Sequence, residues 1–113
     1  MSSVRAGAHE AADTAPIFAA LGDPTRLSLL TKLSDGRSRS IAKLSADTSF
    51  TRQAITKHLR VLENAGLVTS SRVGRESQFA FRAESIREAK SYLEGVSRQW
   101  DDTLSRLRSF VER

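Results

Sequence analysis

A mainly α-helical domain with one small β-hairpin is the fold class that three observations in this sequence predict. Apolar residues recur at helical spacing through most of the 113 residues. Only a short stretch after Gly66 changes to a period of two. The two prolines, Pro16 and Pro24, both fall near the start, where each fits the first turn of a helix. A chain of this length forms one domain with a modest core. It has no cysteines, which excludes disulfides and thiolate metal sites. No apolar run is long enough to span a bilayer, and the first residues lack the apolar region of a signal peptide. A cytoplasmic protein with no membrane partner is therefore expected.

Residues 1–13 are small, polar and rich in Ala and Gly, and read as a flexible leader in which His9 has no assigned role. The first helix is expected to start at Thr14 as cap, to carry Ile17 and Phe18, and to stop at Gly22. Asp23 then caps a second helix with Pro24 at its first position. Leu27, Leu30 and Leu33, with Leu29 beside them, form its expected buried face. Arg26 reads either as a phosphate contact or as a surface ion-pair partner. A short third helix is expected from Ser38 to Ser45 with Ile41 and Leu44 inward, followed by a turn over residues 46–49. The fourth helix runs from a Thr51 cap to Gly66, a good C-terminal stop.

Charge singles out this middle region. Residues 36–82 hold nine Lys/Arg against three Asp/Glu, a net +6, while residues 1–35 carry −1 and residues 83–113 carry 0. The whole basic excess of the chain, +5, thus sits in the middle third, and a local positive field of that kind suits a phosphate backbone. In the fourth helix Ile55, Leu59 and Leu62 make an inward stripe. Arg52, Thr56 and Arg60 form one outward row, Gln53 and Lys57 the next, and no acid precedes Glu63. Gln pairs bidentately with adenine, Arg and Lys reach guanine or phosphate, and Thr51 and Thr56 suit phosphate or a thymine methyl. A merely solvated basic face is the competing reading, but the preceding helix and turn complete a helix-turn-helix. His58 reads as a packed or hydrogen-bonding side chain.

The period-two stretch gives one strand from Leu67 to Arg72, a turn at residues 73–76, and a return strand with Phe79 and Phe81 on one face. A lone hairpin is marginal in water, so the rings must dock on the helices. Arg72 and Arg75 are left at the exposed tip, where a wing reaches the minor groove or flanking phosphates. From Glu84 to Arg113 one long helical pattern follows. Its apolar stripe runs Ile86, Ala89, Leu93, Val96, Trp100, then Leu104, Leu107 and Val111, with Tyr92 and Phe110 flanking. A helix of about 40 Å has more stripe than one chain of this size covers. A symmetric dimer buries it, with Trp100 as anchor; packing within the monomer is the alternative.

The segments ALGDPTRLSLLTKL and TRQAITKHLRVLENAGLV, followed by the GRES-containing hairpin, resemble the ArsR-type winged-helix transcriptional regulators over residues 15–82. The ending QWDDTLSRLRSFVER is similar to the tail of a metal-independent branch. The resemblance implies a winged helix-turn-helix that dimerises through its first and last helices and reads an inverted repeat as a repressor. Residues 14–82 are then the DNA-binding part, reading double-stranded DNA through Thr51, Arg52, Gln53, Thr56, Lys57, Arg60, Arg72 and Arg75. Residues 83–113 are the dimerisation helix of the same single domain. The homodimer interface takes in Ile17, Phe18, Leu93, Val96, Trp100, Leu104 and Leu107. Where arsenic- or cadmium-sensing members carry cysteines, this chain has Ser40-Ile41-Ala42. Where zinc-sensing members carry Asp and His pairs on the final helix, no His follows His58, and Asp101-Asp102 are weak ligands alone. Neither a metal nor a cofactor is expected, and the inducer, if a small molecule, is not identified by any residue. A protein-interaction module or antirepressor of the same fold is the alternative function. No constellation of residues suits an enzyme.

Overall fold

The computed structural model describes the backbone of residues 3–112 and the side chains of residues 11–112. Five helices and three short strands follow in the order α1 (Ser3–Leu21), α2 (Pro24–Leu33), β1 (Arg39–Ser40), α3 (Ile41–Ser45), α4 (Arg52–Asn64), β2 (Val68–Val73), β3 (Glu76–Phe81) and α5 (Ala83–Val111). The mainly helical class with a small hairpin is as expected, and four local expectations are corrected.

The first correction concerns α1, which starts at Ser3 rather than at Thr14. The stretch read as leader is rich in Ala, the best helix former, and Pro16 is tolerated inside the helix although it removes one backbone donor. Thr14 is buried instead of capping an exposed end. Met1 and Ser2, and the side chain of His9, lie outside the described residues. Second, Leu27 faces solvent, at 48 % exposure; the buried face of α2 is Leu29, Leu30 and Leu33. A helix turns by about 100° per residue, so the face centred on Leu29, Leu30 and Leu33 turns Leu27 away. The Asp23 cap is present, its carboxylate accepting the Arg26 backbone N–H at 3.0 Å.

Third, residues 39 and 40 extend as β1 before α3 begins, with Arg39 opposite Phe79 and Ser40 opposite Gln78. The sheet is therefore three-stranded in the order β1-β3-β2, antiparallel throughout. Ser40 closes the strand and caps α3, its hydroxyl accepting the Lys43 N–H at 3.2 Å. A two-residue strand contains too little pattern to register as period two. Fourth, Ile17, expected at a subunit interface, is only 3 % exposed and belongs to the core.

The core joins Ile17 and Ala20 of α1, Leu29, Leu30 and Leu33 of α2, Leu44, the α4 stripe Ile55, Leu59 and Leu62, then Leu67, Val68, Phe79 and Ala89. Phe79 is fully buried and Phe81 half-buried, so the hairpin is docked as the marginal stability of isolated hairpins demands. At its tip Val73 pairs with Glu76, and Gly74 takes φ +63° at the first of the two turn positions, which a tight hairpin reserves for glycine.

The joint between α4 and β2 is equally defined. Gly66 adopts φ +74°, its N–H bonds the Glu63 carbonyl, and the Leu67 N–H bonds the Leu62 carbonyl, both at 2.9 Å. This is a Schellman stop, and it satisfies carbonyls that the helix end leaves open. Ser85 of α5 donates to the Ala65 carbonyl at 2.9 Å, and its Oγ stands 2.7 Å from where a Gly66 Cβ would be. Gly66→Ala is expected to lower stability by about 1–3 kcal/mol from the backbone conformation alone, with added crowding against Ser85. A urea unfolding midpoint checks it, and an unchanged midpoint would contradict it.

Candidate DNA-binding face

The helix-turn-helix is assembled by short polar bonds. Thr48 donates its hydroxyl to the Ser45 carbonyl at 2.9 Å and accepts the Phe50 N–H at 3.2 Å. Lys32 of α2 reaches across to Asp47 at 2.6 Å and to the Leu44 carbonyl at 3.4 Å, fixing the turn to α2. That bond holds the Asp47 carboxyl below its usual range. Phe50 precedes the cap of α4 and shares a small cleft with Ile55, the placement of a hydrophobic staple. Thr51 caps α4, accepting the Ala54 N–H at 3.1 Å.

Beyond that cap α4 presents the expected face. Arg52, Gln53, Lys57 and Arg60 are exposed, while the Ile55, Leu59 and Leu62 stripe is sealed. Thr56 is half-buried, and its hydroxyl proton goes to the Arg52 carbonyl at 2.7 Å, a bond within the helix. Thr51 is likewise committed as a cap, so both threonines carry structural duties at this face. Arg60 is paired with Glu63 at 3.0 Å, whereas Arg52, Lys57, Arg72 and Arg75 enter no ion pair among the described residues. Arg52 of α4 and Arg75 of the hairpin tip line one groove of about 240 Å³ together with Ser40, Ala42 and Ser77. The third helix, the fourth helix and the hairpin thus converge on one polar cleft, whose lining also includes the acidic Glu76 beside Arg75, with Arg72 exposed on β2.

The middle third contains other cations that the fold has committed. Arg39 forms two bonds to Asp35, at 2.9 and 2.7 Å, which hold the Asp35 carboxyl well below its usual range and raise Arg39. Arg26 belongs to neither of the roles its sequence position suggested. Its Nε donates to the Ala20 carbonyl at 2.6 Å, one terminal nitrogen to the Ala19 carbonyl at 3.3 Å, and the other to Nδ1 of His58 at 3.2 Å. His58 therefore accepts at Nδ1, and it stands edge-on to Phe50 with ring centroids 6.2 Å apart. Nothing in linear spacing links residues 26 and 58; the motif DPTR hinted at a helix start and no more.

Away from the residues that line that cleft, α1 and α5 pack together. Phe18 meets Tyr92 edge to face at 6.0 Å, and Phe18, Leu21, Ile86, Ala89 and Leu93 line an apolar cleft of about 460 Å³. Val96 is half-buried, and Leu93, Trp100, Leu104 and Leu107 are exposed, Trp100 by 62 %. With Phe110 and Val111 they make a continuous uncovered stripe on α5.

The chain is similar to known proteins over most of its length. Residues 23–70 match the family described as bacterial regulatory protein, arsR family. Over 77 residues the chain is 46 % identical to the uncharacterized HTH-type transcriptional regulator YuzN of Bacillus subtilis, spanning 63 % of this chain and 84 % of that one. The solved structure of an ArsR-like transcriptional regulator from Rhodococcus sp. RHA1 superposes with a TM-score of 0.75 at 36 % identity, covering 88 % of this chain and 92 % of the other. A second solved ArsR family transcriptional regulator gives a TM-score of 0.73 at 27 % identity, covering 79 % and 91 %.

Removing the Arg26 side chain unties α1 from α4. Arg26→Ala is expected to cost about 2–3 kcal/mol, because several charge-assisted bonds end in one partly buried group. Arg26→Lys should recover little, since a compact ammonium lacks the planar fork that reaches both helices. Chemical denaturation of the three proteins measures this, and an Arg26→Lys midpoint equal to wild type would contradict it.

Proposed function

The chain belongs to the ArsR family of bacterial regulatory proteins and is a DNA-binding transcriptional regulator rather than an enzyme, and from that premise we propose that it acts as a homodimeric repressor on a palindromic operator. The observation that carries the reading is the convergence of Arg52 and Arg75 on one groove while Gln53 and Lys57 stand exposed on the same helix as Arg52. On duplex DNA, α4 enters the major groove, where Gln53 and Arg52 read base edges, and Lys57 and Arg60 meet phosphates or guanine. The hairpin reaches the flanking backbone with Arg72 and Arg75. Thr51 and Thr56 contribute by holding the helix and by their methyl groups.

The dimer is built from the uncovered stripe. Leu93, Trp100, Leu104 and Leu107 meet the same residues of a second copy, with Phe18 at the edge, and Val96 completes the contact. Ile17 supports this surface from the core instead of touching the partner. A two-fold axis through such an interface places two α4 helices about one helical turn of DNA apart, which calls for an inverted repeat. Repression follows by occlusion of a promoter in the cytoplasm. The reading is independent of metal at the two positions familiar in the family, because Ser40, Ile41 and Ala42 supply no thiolate and no imidazole follows His58. Release from DNA then depends on another signal, a small-molecule inducer or the protein's own concentration.

Two sets of substitutions test this. Arg52→Ala and Gln53→Ala should each weaken binding to a duplex selected by the wild-type protein by about 1–3 kcal/mol, and far less on a shuffled duplex. Arg75→Ala should weaken both alike and reduce the salt slope by about one. Equal losses on both duplexes for Gln53→Ala would count against base reading. Trp100→Ala combined with Leu104→Ala should convert a dimer to a monomer in sedimentation velocity with the circular dichroism retained; an unchanged sedimentation coefficient would place the subunit contact elsewhere.

A further inference from the structure

Glu63 is the single acidic residue of α4, and it sits where two separate effects oppose a negative charge. It occupies the last turn of the helix, the negative end of the helix dipole. It also borders a face proposed to meet phosphates, which repel carboxylates. Its side chain is nevertheless fully engaged across two elements. Oε1 accepts from Arg60 at 3.0 Å, on the same helix, and Oε2 accepts the hydroxyl of Ser70, on β2. The Ser70 hydroxyl first, and Arg60 with it, holds the carboxyl below its usual range. Ser70 lies on β2, the first strand of the hairpin, directly opposite Phe79 and on the same face as that core-anchored ring, but far enough along the strand to stay solvent-accessible beside the end of α4. The backbone link between α4 and β2 is only the turn through Ala65 and Gly66. Leu67, Val68 and Phe79 dock the base of the hairpin in the core, and Ser85 holds the turn at Ala65; the Glu63–Ser70 bond adds a direct side-chain tie between helix and hairpin on the solvent side of that joint.

We propose that Glu63 is a positioning residue for DNA recognition: it ties the hairpin to the recognition helix through Ser70 and holds the Arg60 guanidinium at their junction. The inference rests on the DNA-binding reading above and adds a residue that no contact with DNA requires. In consequence, α4 and the tip arginines Arg72 and Arg75 approach a duplex as one body, and Arg60 is presented in one orientation.

Glu63→Gln gives opposite outcomes under charge and under positioning. If Glu63 acted only as a negative charge, its removal would tighten binding to every duplex and free Arg60 for phosphate. Positioning requires the reverse. Binding to a duplex enriched from a random pool by the wild-type protein should weaken by about tenfold, with a smaller loss on a shuffled duplex, so the preference narrows. Ser70→Ala should match this loss, Ser70→Thr should retain wild-type binding because it keeps the hydroxyl, and Glu63→Gln with Ser70→Ala should be no weaker than either alone. Fluorescence anisotropy measures all four variants, with thermal unfolding confirming that each stays folded. Tighter or unchanged binding by Glu63→Gln, or additive losses in the double variant, would overturn the proposal. If the wild-type protein enriches no duplex at all, the operator reading fails first and this inference falls with it.

Discussion

One guanidinium ties three helices together at the edge of the shared core. Arg26 lies in the first turn of α2, where its own backbone N–H is taken by the Asp23 cap. Its side chain turns back to the Ala19 and Ala20 carbonyls at the end of α1 and forward to His58 on α4. Helix ends leave carbonyls unsatisfied and carry partial negative charge, so a cation there is favoured twice over. The planar fork of arginine spreads its donors over both partners at once. Because α1 packs on α5 and α4 leads directly into the hairpin, this contact helps fix the element that carries the uncovered stripe relative to the element that lines the polar cleft.

The basic charge of the middle third divides into two populations. Arg39 and Arg60 are bound to carboxylates beside them, and Lys32, just upstream in α2, fixes the helix-turn-helix through Asp47. Arg82 is paired likewise, with Glu84, whereas among the described residues Arg37, Lys43, Arg52, Lys57, Arg72 and Arg75 enter no ion pair, and two of these, Arg52 and Arg75, line one groove between α4 and the hairpin tip. Exposed ion pairs contribute little stability, about 0–1 kcal/mol each. Unpaired cations add nothing to the fold and repel one another, so their excess in this third of the chain is accounted for by a polyanionic partner.

Sequence spacing resolved the elements whose patterns are long and strict. The α4 stripe Ile55, Leu59 and Leu62, the Thr51 cap, the Gly66 stop and the Phe79/Phe81 face of the hairpin were all legible, because each rests on local periodicity or on one residue's conformational preference. Features that depend on distant partners were not. β1 is two residues long and exists because β3 offers it an edge. The resemblance implies Ile17 at the subunit interface, but its side chain turns into the core, and Pro16, which suits a helix start, lies within a helix that begins at Ser3. Leu27 shows the same limit: in a leucine-rich helix the buried face is chosen by the neighbours. The Arg26–His58 and Glu63–Ser70 contacts join residues 32 and 7 positions apart, and no spacing rule announces them.

The central claim is that a dimer reads sequence in an inverted repeat. Its most direct measurement is anisotropy of the purified protein on a duplex enriched from a random pool, against a shuffled duplex, across a salt series with stoichiometry determined. The account predicts an enriched inverted repeat with half-site centres about 10 base pairs apart, two subunits bound per duplex, and a preference that persists as salt rises. Equal, steeply salt-dependent binding to both duplexes, with no enriched repeat, would contradict it and leave a basic surface that coats DNA without reading it.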